Sequence, residues 1–581
     1  MNFASDDPAL RPFLARLLPA DDLARLEPVL DELGGLAAGE LDRLAATADA
    51  NPPRLRQYDP TGERIDEVEF HPAYQRMAEL AFERFGLAAM SHRPGVLGWP
   101  TPVPHVVKYA LSYLFVQAEF GLACPVNMTD SAARVLRLFD ADRSAAEIAA
   151  LTSTSPGHAT GAMFMTERQG GTDVGLTATE ATGHGTHWTL RGRKWFCSNV
   201  SAEVILTLAR VPGQGEGTRG LGMFLVPRVR PDGTRNAVRI DRLKDKLGTR
   251  SMASGEVTLE DAWARPVGSL TNGFRQMAEM VNASRLSNAM RATALMRRAV
   301  SESVRHTRAR EVFGRPLFEQ PLMRATLLPL MLDTEAGLAM VLDCAGVLDR
   351  ADAGDDEARG LVRVLTPLAK YTLCKRARSV TGEAMEIRGG NGYIEDWVNP
   401  RLLRDAHLGS IWEGSSNVIA LDVLRCMRRD GAHRLVAGVY GSRASSVGGT
   451  ASALLTRHWD ELRARGDRLL ELPLDEQEVG IARYASSLSA AVMATLLVEH
   501  AEHEISQGHG HRALLVAHAY LGRVLGDGDA PNRGALAHLD ALADGTAVPR
   551  DAALAALPVE SAEPAESVES AEELSRSHAR T

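Results

Sequence analysis

Between residues 160 and about 265 the apolar pattern of this chain changes period, and that change limits its architecture more than any other feature. Short β-rich runs (HWTLRGRKWF, VILTLARV, GMFLVPR, AVRIDRL and SGEVTLEDAWARP) are separated by Gly and Pro. Runs of this length and spacing predict a small antiparallel sheet or barrel. On both sides, apolar residues recur every three or four positions, the period of an amphipathic helix. LARLLPADDLARL and LAAGELDRLAATADA predict helices in the first 50 residues, and helix returns from His71 to about Leu151. Between them NPPRLRQYDPTGERIDEVEF, rich in Pro, Gly and charge, predicts an extended arm or short hairpin. Long helical stretches resume from Phe274 to about Arg429, broken at GRPLFEQP and RGGNGYIEDWVNP, and 432–548 is again mostly helical.

The expected fold class is therefore mostly α with a central β-barrel domain. The expected divisions are an N-terminal arm and helical domain over 1–160, the β-barrel domain over 161–268, a helical-bundle domain over 269–430 and a C-terminal helical extension over 431–550. The Ala-, Ser-, Glu- and Pro-rich stretch 551–581 is expected to be a disordered acidic tail, because it has little to bury.

Composition narrows the class further. With 581 residues, 45% hydrophobic and 24% charged, the chain reads as an ordinary globular protein of three or four domains. No apolar run approaches the about 20 residues of a membrane span, Leu488 to Val498 being the best. MNFASDDPAL lacks the apolar stretch of a signal peptide. Cys124, Cys197, Cys344, Cys374 and Cys426 are too scattered for a disulfide framework or a thiol zinc site. A cytoplasmic location and no membrane partner are expected. Residues 430–581 hold 13 Arg, no Lys and 22 acidic residues, a balance of −9 that equals the net charge of the whole chain. No domain-sized segment is strongly basic, so DNA is disfavoured as a partner.

There is no phosphate-binding P-loop, and no GxGxxG follows a strand. His500 and His503 share a helix face, but without His-Glu-x-x-His spacing they read as a solvated helix end, and no metal site is expected. Four segments carry the chemistry. They are MTERQGGTDVG (165–175), RGRKWFCSN (191–199), RAREVFGRPLFEQP (308–321) and RGGNGYIEDWVNPRLLRDAHLGSIWEGSSN (388–417). In this order and at these separations they resemble the acyl-CoA dehydrogenase flavoproteins. NPPRLRQYDPTGERIDEVEFHP, RLKDKLGTRSMAS and SIWEGSSNVIALDVLR extend the resemblance to the AidB-like, alkylation-response branch.

The resemblance implies a helical domain, a β-barrel and a four-helix domain that assembles a homotetramer, with non-covalent FAD completed by a neighbouring subunit. It implies removal of an α-proton from an acyl thioester, hydride transfer to the flavin, and an electron acceptor such as an electron-transfer flavoprotein. By the same resemblance Met165, Thr166, Gly171 and Thr172 contact the flavin ring and Trp195 packs on it. Arg310 reaches the pyrophosphate of the neighbouring subunit's FAD, and Phe313 and Gln320 line its adenosine end. Gly389 and Gly390 let backbone approach the cofactor, and Ser415 and Asn417 supply polar contacts. Glu413 matches the catalytic base and Arg285 a residue that tunes it. Some relatives place the base just before that arginine, where this chain has Ser284, which cannot serve.

Three departures stand out. Cys197 replaces the usual Thr beside the flavin, leaving Ser198 as the substitute hydroxyl. Glu386 replaces a common Gln before the Gly-Gly step. Trp412 replaces the Tyr before the base and narrows the acyl pocket. The leading expectation is an FAD-dependent acyl-CoA dehydrogenase-like oxidoreductase. The alternative is an FAD-containing, DNA-associated protein of the alkylation response. Its only basic stripe, Arg457, Arg463, Arg465 and Arg468, reads better as a solvated helix face with acid–base pairs.

Overall fold

The computed structural model describes residues 1–526 and 532–557. Amphipathic segments at the N-terminus form α1 (Leu10–Leu17), α2 (Ala20–Leu36) and α3 (Asp42–Ala50). Their buried faces, including Leu10, Phe13, Leu14, Leu26 and Leu30, turn to the core. The Pro- and charge-rich arm is a hairpin of β1 (Arg54–Tyr58) and β2 (Arg64–Glu69). Then come α4 (Pro72–Ala78), α5 (His105–Val116), α6 (Ala123–Phe139) and α7 (Ala145–Leu151). Nearly every residue of α5 and α6 is buried, so both run through the interior.

The β module has seven strands: β3 (Gly161–Phe164), β4 (Glu180–Gly183), β5 (Trp188–Ser198), β6 (Val204–Arg210), β7 (Leu221–Pro227), β8 (Val238–Leu243) and β9 (Ser254–Pro266). Pairing runs β6–β7–β9–β5–β4, and Glu180 of β4 returns to Arg210 of β6, so the sheet closes on itself. Closure removes the exposed edges an open sheet would leave. The expected all-antiparallel arrangement needs correction at two pairings, since the β4–β6 closure at Glu180–Arg210 is parallel and β3 pairs with β6 in parallel, Gly161 opposite Val204. The β3–β6 pairing can be parallel because the chain reaches β6 through a long crossover rather than a tight hairpin.

A single helix of 37 residues, α8 (Gly273–Ala309), leaves the barrel. At Gly273 a Cβ would sit 2.4 Å from backbone atoms of Gly222 and Met223, so only glycine lets α8 start flush against β7. A two-residue hairpin, β10 (Glu311–Val312) with β11 (Arg315–Pro316), leads into α9 (Pro321–Asp352). The bundle is completed by α10 (Asp356–Ile387), α11 (Val398–Gly409) and α12 (Ser416–Asp430).

The extension holds α13 (Ala432–Val447), α14 (Gly449–Glu471), α15 (Leu474–Ser506), α16 (Arg512–Leu525), α17 (Arg533–Ala537), α18 (Leu539–Asp544) and α19 (Arg550–Leu554). It shares one hydrophobic core with the bundle. Ion pairs Arg443–Asp343 (2.9 Å) and Arg512–Glu335 (2.8 Å) tie it to α9. Helices α9 and α15 are long and apolar enough to cross a membrane, but most of each apolar window is buried inside the protein. His500 belongs to this core too. Its ring lies 4.2 Å from Phe13, and burial pushes its pKa down to about 3, so the solvated helix end expected there is corrected to a packed one.

The boundary at 551 also moves. Helix α19 straddles it, Ala553 and Ala556 are buried, and His518 Nδ1 pairs with the Ala553 carbonyl at 2.8 Å. The rest of the expected tail, 558–581, lies outside the described residues.

Candidate active site

Glu413 sits in the tight connection between α11 and α12 with φ 55°, in the left-handed region that a non-glycine residue rarely adopts. Backbone held this way costs about 1–3 kcal/mol and persists only where surroundings impose it. Here two cations impose it. Arg285 Nε donates to the Glu413 carbonyl at 3.3 Å, and Lys370 Nζ donates to the Gly414 carbonyl. Arg285 is itself fixed through Nη1 to Asp422 Oδ2 at 2.6 Å. Asp422 also accepts from Arg363 at 2.7 Å and from Arg425 at 2.9 Å. Glu413 Oε2 is shut off from solvent without a hydrogen-bond partner. Burial raises the Glu413 pKa, opposed by Arg285, Arg291 and Lys370. Ser284 is fully buried and accepts from Asn127 Nδ2 at 3.0 Å, so it is a packing hydroxyl.

The barrel supplies the opposing wall. Trp195 N–H donates to the Thr166 carbonyl at 2.9 Å, joining the two segments expected at a flavin ring. Met165 and Trp412 pack against the same hydrophobic cluster, which brings the barrel to the Glu413 loop. The Glu167 and Lys194 side chains are buried together at 2.7 Å and anchor the turn that carries Gly171 and Thr172, both exposed. Lys244 Nζ lies 3.6 Å from the Trp195 ring centroid.

A β-bulge between Lys194 and Cys197 decides the Cys197 question. The extra residue shifts the side-chain phase. Cys197 turns into the barrel core and is fully buried, whereas Ser198 lies against the Cys124 thiol. Ser198 is thus the hydroxyl on the Glu413 side.

The remaining candidates form a second group. Arg310, Phe313 and Gln320 lie on the hairpin between α8 and α9. Phe313 is 98% exposed at φ 50°, and Gln320 Nε2 donates to the Val312 carbonyl at 3.0 Å, fixing the hairpin. Glu386, Gly389 and Gly390 are exposed at the end of α10, where a Cβ on either glycine would meet nothing within 4 Å. Ser415 and Asn417 are exposed at the start of α12.

Sequence reasoning missed Arg291, Lys370 and Cys124. Arg291 is 1% exposed, with its Cζ 4.8 Å from the Trp412 ring centroid and 5.2 Å from that of Phe120. Its signal was a lone arginine amid NAMRATALM, a stretch otherwise fit for a core. Also missed was a buried acidic group beside the site. Asp405 accepts from Thr249 N–H at 2.6 Å, and Glu119 accepts from Ser251 at 2.7 Å.

Three family models cover most of the chain. An AidB N-terminal domain matches 1–155, an acyl-CoA dehydrogenase middle domain 162–262 and an acyl-CoA dehydrogenase C-terminal domain 271–427. The chain is 37% identical over 430 residues to a putative acyl-CoA dehydrogenase, AidB, of Escherichia coli, covering 71% of this chain and 75% of that one. The chain belongs to the acyl-CoA dehydrogenase family. Family member 11 of Caenorhabditis elegans is 33% identical over 433 residues, 72% of this chain and 70% of that one. A structure of the C. elegans protein in complex with C11-CoA superposes with a TM-score of 0.82 at 28% identity, covering 90% and 91% of the two chains. The apo form of Bd2924 superposes at 0.79 and 32% identity, covering 86% and 98%.

The family is FAD-dependent. The donor set fits that group: an indole face at Trp195, hydroxyls at Thr166 and Ser198, and an uncrowded Gly389–Gly390 step open to a dinucleotide.

Proposed function

We propose that this chain is an FAD-dependent oxidoreductase that removes the α-proton of an acyl thioester with Glu413. The observation that carries the reading is the Glu413 carboxylate itself, with Oε2 closed to water and unpartnered, on a strained loop held by Arg285 and Lys370. A base must meet a weakly acidic C–H, and burial that raises its pKa narrows the gap. Arg285 acts as a positioning residue, since its contact is to the Glu413 backbone. FAD, held by Thr166, Trp195 and Ser198, would supply the acceptor for the β-hydride. Thr166, Trp195 and Ser198 are assigned to the flavin ring, and Arg310, Phe313 and Gln320 to a neighbouring subunit's adenosine and pyrophosphate in a homotetramer. Trp412 and Phe120, stacked with centroids 6.0 Å apart, close the acyl chamber.

A cytoplasmic location and an electron-transfer flavoprotein as acceptor are parts of the same reading. The DNA-associated alternative is weaker, because residues 430–581 carry −9. Two arginines of its basic stripe are also engaged. Arg463 pairs with Asp460 at 3.4 Å, and Arg465 bonds Ser487 at 2.8 Å.

The test is Glu413→Gln in the flavin-loaded protein. Retained flavin with lost reduction by acyl-CoA supports the assignment, and undiminished reduction removes it. Arg310→Ala should lower flavin occupancy, and an unchanged flavin content removes the pyrophosphate contact.

A further inference from the structure

Six arginines among the described residues are buried, and five of them are ion-paired. Arg297 meets Asp7, Arg298 meets Asp42 and Glu302, Arg388 meets Glu302, Arg401 meets Asp42, and Arg404 meets Asp49 and Glu395. Arg291 has no ion pair among the described residues. Its Nε donates to the Ser287 carbonyl at 3.3 Å, and its Nη1 is closed to solvent with no acceptor. Trp412 Nε1, on the ring that this guanidinium flanks at 4.8 Å, is likewise a buried donor without an acceptor. The next residue is Glu413, whose Oε2 is unpartnered too.

An unpaired buried ion is costly to the fold, and each orphaned buried donor adds to that cost. Arg297 Nε, Arg401 Nη1 and Arg404 Nε also lack an acceptor, but each of those guanidiniums has its carboxylate; Arg291 has none among the described residues, and its open Nη1 and the open Trp412 Nε1 lie together beside the proposed base. Glu413 is a poor partner for both. A full ion pair with Arg291 would hold the carboxylate ionised and weaken it as a base. Phe120 shares the guanidinium's aromatic surround at 5.2 Å.

We infer that Arg291 and Trp412 form a recognition site for a carboxylate carried by the acyl group, so that the substrates are acyl thioesters with a second acidic end. This deepens the proposed function and rests on it. The guanidinium supplies charge and a fork of N–H donors, and the indole supplies a third N–H from the side. Arg291 Nε is held by the Ser287 carbonyl and the guanidinium also meets the Cys124 thiol, but a plain alkyl thioester leaves Arg291 Nη1 and Trp412 Nε1 unsatisfied when it expels water, a loss that sites built for polar groups convert into strong discrimination.

The test uses the FAD-loaded full chain. Flavin bleaching without oxygen is followed with butyryl-, hexanoyl- and undecanoyl-CoA against succinyl-, glutaryl- and adipyl-CoA. Binding of the same six is followed in Glu413→Gln by the shift of the flavin spectrum. The wild type should favour one carboxylated thioester by at least tenfold in kcat/KM. Arg291→Met should abolish that preference, and Arg291→Lys should restore part of it. Preference for plain alkyl thioesters, or an unchanged preference in Arg291→Met, overturns the inference while leaving the dehydrogenase reading intact. Loss of flavin in Arg291→Met assigns the arginine to the cofactor and also overturns it. Selective binding of carboxylated thioesters without bleaching supports the recognition site and contradicts the dehydrogenase reading. Binding of neither class overturns both.

Discussion

Arg285 bridges Asp422 and the backbone of Glu413, with 2.6 Å to the carboxylate and 3.3 Å to the carbonyl. Asp422 gathers three arginines and is 4% exposed, so it is the fixed point of the loop that presents the base. Asp422→Asn should cost about 3–5 kcal/mol of stability, the usual result of breaking a buried pair. It should lower kcat at least tenfold while flavin content holds, as flavin absorbance and steady-state kinetics report. Burial raises the Asp422 pKa, but the arginines win and hold it down at about 2. A depressed carboxyl pKa contributes stability that is complete above the unfolded value and lost as pH falls toward 2. The mutant should therefore show a smaller loss of stability than the wild type between pH 4 and 2.

The Glu167–Lys194 pair is a second buried ion pair, set between the barrel and the turn bearing Gly171 and Thr172. Lys194→Met leaves Glu167 without its cation and should destabilise the protein by about 3–5 kcal/mol. Because Thr179 Oγ1 and Ala178 N–H still hold Glu167, at 2.5 and 2.7 Å, the barrel should survive. The measurement is Tm together with flavin content, both of which should fall.

Asp405 behaves in the opposite sense. Burial, with Asp49 and Glu119 adding to it, pushes this carboxyl up to about 7, against the Thr249 N–H and Arg401. A raised carboxyl pKa means that the folded state binds the extra proton, so stability falls as pH rises from about 4 to 7. Asp405→Asn keeps the acceptor for Thr249. It should match the wild type near pH 4 and exceed it by about 4 kcal/mol at pH 8, at about 1.36 kcal/mol per pKa unit. Denaturant midpoints across that range measure the difference.

The C-terminal boundary gives a simpler comparison. A chain ending at residue 549 loses Ala553 and Ala556 from the core, together with the bonds from His518 and Asn532. Its Tm should drop by about 1–2 °C, the shift that about 1–2 kcal/mol makes in a chain of this size. A chain ending at 557 should keep the full Tm.

Periodicity alone placed the β module, the long helices and the hairpin at 54–69, because each buries a face at its own regular spacing. Glu413, Trp195 and the Gly-Gly step were legible as motif residues. Arg291 was not, since one arginine within an apolar helix is ordinarily read as reaching solvent. The phase of Cys197 and Ser198 was hidden because a bulge leaves no mark in the alternation of WFCSN. The end of the fold was misjudged because α19, RDAAL, has the Ala-rich composition of the tail that follows it.

The central claim is that Glu413 is the base for thioester oxidation. It is tested most directly by anaerobic acyl-CoA titration of the flavin-loaded wild type and of Glu413→Gln, monitored by the visible spectrum across pH. The account predicts bleaching in the wild type that speeds up as pH rises through the raised Glu413 pKa. It predicts an intact flavin spectrum in Glu413→Gln, with bleaching slowed at least 1,000-fold, on the order of 4 kcal/mol of transition-state stabilisation. Equal bleaching rates in the two proteins would contradict it.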